Sequence, residues 1–430
     1  MSIGMDFTLG EAEQAVASAA AEVLGHAQPP AEPGTDDTAL WKELSRAGLL
    51  SLALPAFLGG DGLGVMAVAT ALTEIGRRAA PVPALATLAL GVLPVVRWGD
   101  RDLQEAVLDG VASGDTLLTA AVREPSQVMP VVPATMASLA DGSGTVSGVK
   151  IGVPCGAAAD WILVPARITA GGTGTAVMVV ARSASGLSWQ RTHSASGRPE
   201  YTLRLDAAPV SHVLGAGTGG RVVTDLYQLA SAGACCLADG AVAGALSLTT
   251  KHVAAREQFG RPLATFQAAA EKIADVYITS RTLHLATLSA CWRLDTDRGA
   301  AADLDVAAYW LADRAPSALQ TCHHLHGGIG MDVSYPLHRY SSLIKDLVRF
   351  VGGADHRLDR LGARACDQAG RPEGVVPPGA STGRGGLGGS SPRASTGRGG
   401  LGGSSPRAST GRGGLGGSSP RASTEVRDVS

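Results

Sequence analysis

Residues 251–267 read KHVAAREQFGRPLATFQ, a polar, turn-forming interruption between two long helical patterns. Upstream, Leu226, Leu229, Gly233, Leu237, Val242, Leu246 and Val253 recur at three- to five-residue steps, which predicts one helix of about 30 residues. Many small residues crowd it, and a mid-helix Gly costs up to about 1 kcal/mol against Ala. Their presence predicts close helix-to-helix packing, as in a bundle or a subunit interface. Downstream, residues 266–294 and 301–326 predict two more helices, and residues 345–361 a last one. A second marker, HLHGGIG at residues 324–330, closes the helix that ends at position 326.

Working back toward the N-terminus, residues 9–24, 41–50 and 65–75 carry helical spacing, with a glycine-rich loop over 54–64. From position 117 the period changes. Residues 117–122, 144–153, 161–164, 176–180 and 201–205 are short β-branched or alternating runs, parted by turn clusters such as DGSG at 141–144. The expected organisation is α+β: an N-terminal helical domain over 1–116, an antiparallel β domain over 117–220 and a C-terminal helical bundle over 221–366. Residues 367–430 contain the unit ASTGRGGLGGSSPR three times, starting at Ala380, Ala394 and Ala408. So little apolar area cannot offset the ordering entropy, and this segment is expected to be disordered.

Apolar residues make up 45% of the 430-residue chain and charged residues 17%. A net charge of -2 supplies no basic footprint for nucleic acid or an anionic membrane, and 4% aromatics supply little for base stacking. The cysteines Cys155, Cys235, Cys236, Cys291, Cys322 and Cys366 show no C-x-x-C spacing and no metal set, and Cys235 and Cys236, neighbours in an apolar helical run, read as small buried hydrophobes. Asp6, Glu11 and Glu13 do not make a leader pattern. The apolar stretch 81–96 holds three prolines and falls short of the roughly 20 residues a spanning helix needs. These features predict a cytoplasmic protein with reduced thiols, no membrane and no nucleic-acid partner.

Arg256, Gln258, Phe259, Phe266 and Gln267, followed by Gly327, Gly328 and Gly330, resemble in type and order the acyl-CoA dehydrogenase family. The pattern WKEL…AGLLSLALP…GG…GLG near the N-terminus is similar to that family's first helical domain. The resemblance spans residues 5 to about 365 and implies a C-terminal four-helix bundle, an FAD cofactor, an acyl-CoA substrate and an electron acceptor. It also implies that Arg256 reaches the FAD pyrophosphate, held largely by a neighbouring subunit. A planar guanidinium fork suits phosphate, and Gly327 and Gly328 allow close backbone approach. His324 stands where the family often has a glutamine and still offers a hydrogen bond.

The chain departs from the family at two points. The flavin-ring turns are expected at Arg123-Glu-Pro125 and Lys150-Ile-Gly-Val-Pro154, yet neither has the usual Thr or Trp-Ile-Thr character. Desaturation needs a carboxylate to take the α-proton of the thioester. The family's glutamate, counted fifteen residues from Pro336, falls on Val351, or with a one-residue slip on Gly352. The alternative place, 26 residues before Arg256, is Ala230. None of these takes a proton. Asp239, in an apolar helix, and Asp355, in a run read as a solvated turn, are the substitutes at hand, with Asp225 further off. Such divergence resembles the actinobacterial branch of unlike subunits, α2β2, acting on bulky acyl-CoA such as steroid side chains. The expected function is therefore a base-lacking subunit of a heteromeric enzyme. The alternatives are an active homo-oligomer with an aspartate base, or a scaffold subunit that lends Arg256 to its partner's FAD.

Overall fold

The computed structural model describes residues 7–26, 36–140 and 144–369. The repeats and the rest of 370–430 lie outside the described residues, as does the expectation of disorder placed on them.

Among the described residues, six helical segments and a short 3-10 turn (Ala56–Leu58) precede the sheet. The helical segments are α1 (Glu11–His26), α2 (Thr38–Arg46), α3 (Val65–Arg77), a π-helical stretch (Leu85–Val92), α4 (Leu93–Trp98) and α5 (Arg101–Leu108). Two start on carboxylate caps: Asp37 accepts the Leu40 N–H and Asp100 the Leu103 N–H, each at 2.9 Å. Such a cap satisfies a helix-end donor that would otherwise go without a partner. The stretch expected to be helical over 41–50 stops earlier, since α2 ends at Arg46 and Gly48 takes a left-handed φ of 78°.

A mostly antiparallel sheet follows. Its strands are β1 (Leu118–Ala120), β4 (Met136–Ser138), β5 (Gly144–Pro154), β6 (Trp161–Ala170), β7 (Thr175–Ala181), β8 (Leu187–Thr192), β9 (Glu200–Val210) and β10 (His212–Leu214). A small hairpin of β2 (Arg123–Glu124) and β3 (Gln127–Val128) stands apart from it. The main order is β10-β7-β6-β4-β5-β9-β8, with β1 alongside β6. Two contacts are parallel, β1 with β6 and β4 with β6, within the otherwise antiparallel sheet that the sequence predicts. The cause is topological: β4 and β5 form an antiparallel pair, and the chain then crosses over so that β6 lies on the far side of β4.

The C-terminal helices are α6 (Arg221–Ala255), α7 (Gln267–Asp295), α8 (Ala301–His326), α9 (Leu337–Val351) and α10 (Gly353–Ala369). Between α6 and α7 lies a second hairpin, β11 (Glu257–Gln258) with β12 (Arg261–Pro262). The single last helix expected over 345–361 is two helices. Gly352 and Gly353, at φ of 95° and 83°, break the helical path in a way open to glycine, so α9 ends and α10 starts afresh.

α6 is long and apolar enough to cross a membrane by length and composition, yet its apolar window is 89% buried inside the fold. It is the axis on which both helical regions share one core. Its glycines permit this. A Cβ at Gly240 would stand 1.9 Å from the Thr73 carbonyl oxygen, and one at Gly76 of α3 would stand 2.2 Å from the Leu237 carbonyl oxygen. The two backbones touch where side chains are missing, as the small-residue pattern predicts. A second apolar core fills the sheet.

Candidate functional site

The hairpin after α6 presents the first motif to solvent. Gln258 pairs with Arg261 across a two-residue loop, Phe259-Gly260, in which both residues have left-handed φ (55° and 78°). That is the twist a tight hairpin favours, but it is strained for a bulky non-glycine residue. Phe259 is 90% exposed. It meets Phe266 edge to face at 6.1 Å, and the Arg261 guanidinium lies over the Phe266 ring at 4.1 Å. Gln267, at the start of α7, donates to Glu271 at 2.9 Å. Arg256 is exposed, and its guanidinium makes no hydrogen bond or ion pair among the described residues.

The second motif meets the first through a pair of histidines that the sequence reading did not single out. His252 of α6 and His326 of α8 stack at 4.4 Å with rings 18° from parallel. His326 Nδ1 lies 2.8 Å from the Cys322 carbonyl oxygen and therefore carries the donor proton; Nε2 then accepts from the Tyr335 hydroxyl at 3.0 Å. Burial pushes both imidazoles down, which favours the neutral stack. Gly327, at φ 62°, ends α8, and His324, Gly327 and Gly328 face solvent. The helical spacing of His252 four residues before Arg256 was the available signal.

The β-domain turns assigned to a flavin ring are instead satisfied from within. The wholly buried Lys150 Nζ donates to Glu124 Oε1 at 2.7 Å and to the Pro165 carbonyl at 2.8 Å. Glu124 also accepts from the Ala134 N–H (2.7 Å), the Thr135 N–H (3.0 Å) and the Thr135 hydroxyl (2.6 Å). Next to Gly152, Arg349 of α9 grips Glu200 of β9 with both terminal nitrogens, one of them at 2.6 Å. A Cβ at Gly152 would meet the Arg123 guanidinium at 2.8 Å and the Glu200 carboxylate at 3.1 Å. Burial and the Arg349 charge hold the Arg123 guanidinium below its usual range, against the pull of Glu200.

Two of the positions counted for a base are apolar and shut from solvent, and Gly352 is half-buried. Val351 and Ala230 are both fully buried. Arg357 of α10, only 2% exposed, reaches both helices that carry them. It donates from Nε to the Val351 carbonyl at 2.7 Å and reaches the hydroxyl of Ser231, next to Ala230, at 3.4 Å. Its third contact is the buried Asp305 of α8 at 3.1 Å. The run expected to be a solvated turn at 355–357 is the first turn of α10, with Arg357 turned inward.

Neither substitute aspartate lies at this point. Asp355 is exposed in that first turn. Asp239 is buried and 2.8 Å from His284 Nδ1, beside a small cavity with Thr73, Cys236 and Cys291. It stands nine residues beyond Ala230 on α6, about 13 Å along the axis at 1.5 Å per residue. Asp225 is taken by Arg97 (2.9 Å) and by the Trp98 indole (2.7 Å). No group of three or more His, Cys, Asp or Glu placed to hold a metal ion occurs among the described residues.

Two carboxylates here tie pH to stability. Burial pushes Glu124 up, but the Lys150 charge and the hydrogen bonds from Lys150 and Thr135 outweigh it and leave the carboxyl below its ordinary range. Asp305 is likewise raised by burial, then lowered further by hydrogen bonds from Arg360 and Arg364 and by the arginine charges. A carboxyl whose folded pKa is depressed contributes stability above its unfolded value, about 4, and loses it as pH falls through the folded value. The urea midpoint is therefore expected to hold from pH 7 to 5 and to fall below about pH 4, with a shallower fall in Asp305→Asn. A midpoint indifferent to acid contradicts the pairing.

With this geometry in hand, comparison with known proteins is direct. The pattern of the acyl-CoA dehydrogenase N-terminal domain matches residues 11–115, and that of the C-terminal domain matches residues 217–365. The chain belongs to the acyl-CoA dehydrogenase family. It is 44% identical over 362 residues to acyl-CoA dehydrogenase FadE28 of Mycobacterium tuberculosis, covering 84% of this chain and 99% of that protein. Among solved structures, the Tcur3481-Tcur3483 steroid ACAD G363A variant superposes with a TM-score of 0.78 at 33% identity, over 85% of this chain and all of that one. The ChsE4-ChsE5 complex of Mycobacterium tuberculosis superposes at 0.76 and 30% identity, over 86% of this chain and all of that one.

Proposed function

We propose that this chain is the base-lacking subunit of a heteromeric, FAD-dependent acyl-CoA dehydrogenase of the cytoplasm, which desaturates an acyl-CoA thioester. The observation that carries the reading is that Val351 and Ala230, two of the places counted for a base, are apolar and fully buried, with the Arg357 guanidinium bonded to the Val351 carbonyl and to Ser231 beside Ala230. A guanidinium stays charged at any working pH and takes no proton. The α-proton therefore goes to a carboxylate on a partner subunit, in an assembly such as α2β2. The relatives named as a ChsE4-ChsE5 complex and as a steroid ACAD support an unlike partner and a bulky acyl group.

The residues present fit FAD at one end. Arg256, Gln258, Phe259, Phe266, Gln267, His324, Gly327 and Gly328 lie on adjoining segments, largely open to solvent, with the Arg256 guanidinium unpaired among the described residues. This suits a pyrophosphate held across an interface. At the ring end, Glu124, Lys150 and Arg349 are already paired within the chain. Bound FAD would supply a two-electron acceptor for the hydride. This chain's part is to hold the pyrophosphate and to shape the helical wall. The internal pairing at the ring end also favours a narrower reading, a scaffold subunit that lends Arg256 to its partner's cofactor.

Arg256→Ala is expected to weaken FAD retention in the assembled oligomer. Loss of a charge-assisted phosphate contact costs about 1.5–3 kcal/mol, or about tenfold to a hundredfold in affinity. Flavin content unchanged after exhaustive dialysis of the variant complex would remove Arg256 from the cofactor site.

A further inference from the structure

The arginines gathered on α10 outnumber what they neutralise. Asp305, 1% exposed, accepts from Arg357 (3.1 Å), Arg360 Nε (2.8 Å) and Arg364 Nε (2.8 Å). Three positive charges face one negative charge, so the cluster keeps a surplus of two. Arg357 is fully engaged. Arg360 and Arg364 use only Nε among the described residues, which leaves the terminal nitrogens of both forks without a protein partner. Both side chains are about one-third exposed, at 34% and 36%.

These forks line a cavity of about 160 Å³ between α6, α8, α10 and the loop after β3. That is comparable to an engineered cavity of about 150 Å³ that holds a benzene ring. Tyr227 lines the same cavity. It is 8% exposed, and its hydroxyl finds no hydrogen-bond partner among the described residues. Gln228, also in the wall, makes no side-chain hydrogen bond among the described residues. Buried polar groups are ordinarily satisfied by protein, water or ligand. Surplus positive charge, two free planar forks and unspent polar groups around one small space are the chemistry of an oxyanion site.

We infer that this cavity binds a small oxyanion, a carboxylate or phosphate group, through the free ends of Arg360 and Arg364. Two oxygens on one carbon or phosphorus match the parallel N–H pairs of a guanidinium, which a spherical anion such as chloride does not. The inference needs no partner subunit and no flavin. Its failure would leave the heteromer reading untouched, and normal turnover of the complex would not establish it.

The test is calorimetric titration of the full chain with inorganic phosphate and, separately, acetate, against sodium chloride at matched ionic strength. Saturable binding of phosphate, acetate or both, absent with chloride, is expected, and the arm that binds identifies the source. Arg364→Gln leaves Arg357 and Arg360 on Asp305 and should weaken binding about tenfold, the factor of one lost charged contact. Arg360→Gln with Arg364→Gln should abolish it. If the double variant fails to fold, the single variant carries the result alone. Arg167→Gln, on an exposed part of β6, serves as the charge-matched control and should bind as the parent does. No binding beyond chloride overturns the assignment. So does binding that survives the arginine changes or falls equally in the control.

Discussion

Glu124→Ala is expected to cost the folded chain about 3–5 kcal/mol, the usual penalty for removing one partner of a buried ion pair. Lys150 is wholly enclosed, and without Glu124 its ammonium keeps only the Pro165 carbonyl. The N–H groups of Ala134 and Thr135 and the Thr135 hydroxyl lose their acceptor at the same time. The loss comes mainly from an uncompensated charge, not from the worth of the pair itself. Glu124→Ala combined with Lys150→Met should therefore recover much of it, a non-additivity that a double-mutant cycle reads directly. Urea unfolding midpoints for the two single variants and the double variant measure this. A single-variant loss below about 1 kcal/mol would show that the pair is not sealed as described.

The second large effect concerns turnover. In the assembled enzyme, Asp355→Asn and Asp239→Asn should each leave the desaturation rate within a few-fold. Loss of a general base usually lowers a rate by about 10²–10⁴, so the two outcomes are well separated. Asp355 is exposed at the start of α10, and Asp239 is held by His284 well along α6 from Ala230. Neither is a bonded partner of Arg357, which holds the Val351 carbonyl, Asp305 and Ser231. A fall of a hundredfold or more in either variant would assign that aspartate the base and make this chain a catalytic subunit in its own right.

Much of this was legible in the residues. The spacing from Leu226 to Val253 shows α6, because a helix buried on nearly all sides still places its larger apolar residues at helical intervals. Its glycines foretell the contact with α3. The break between α9 and α10 was hidden, since apolar periodicity runs on through Gly352 and Gly353 and the φ of each glycine is fixed by tertiary packing. β8 was missed for a related reason: half of LSWQRT is exposed, so it lacks the apolar alternation that marks a strand. Arg357, Arg360 and Arg364 fall three and four residues apart and share one helix face, but only once α10 starts at Gly353. The long-range partners, Asp305 for these arginines and Glu200 for Arg349, are set by the meeting of separate elements. No local pattern announces them.

The measurement closest to the central claim is anaerobic bleaching of the flavin absorbance on addition of acyl-CoA, by this chain alone and by the chain co-expressed with a dehydrogenase-like partner that carries an intact glutamate. Before either assay, flavin is added in excess. The account predicts no acyl-CoA-dependent bleaching by the lone chain and rapid bleaching by the complex. Rapid bleaching by the lone chain, with no gain from the partner, would contradict it.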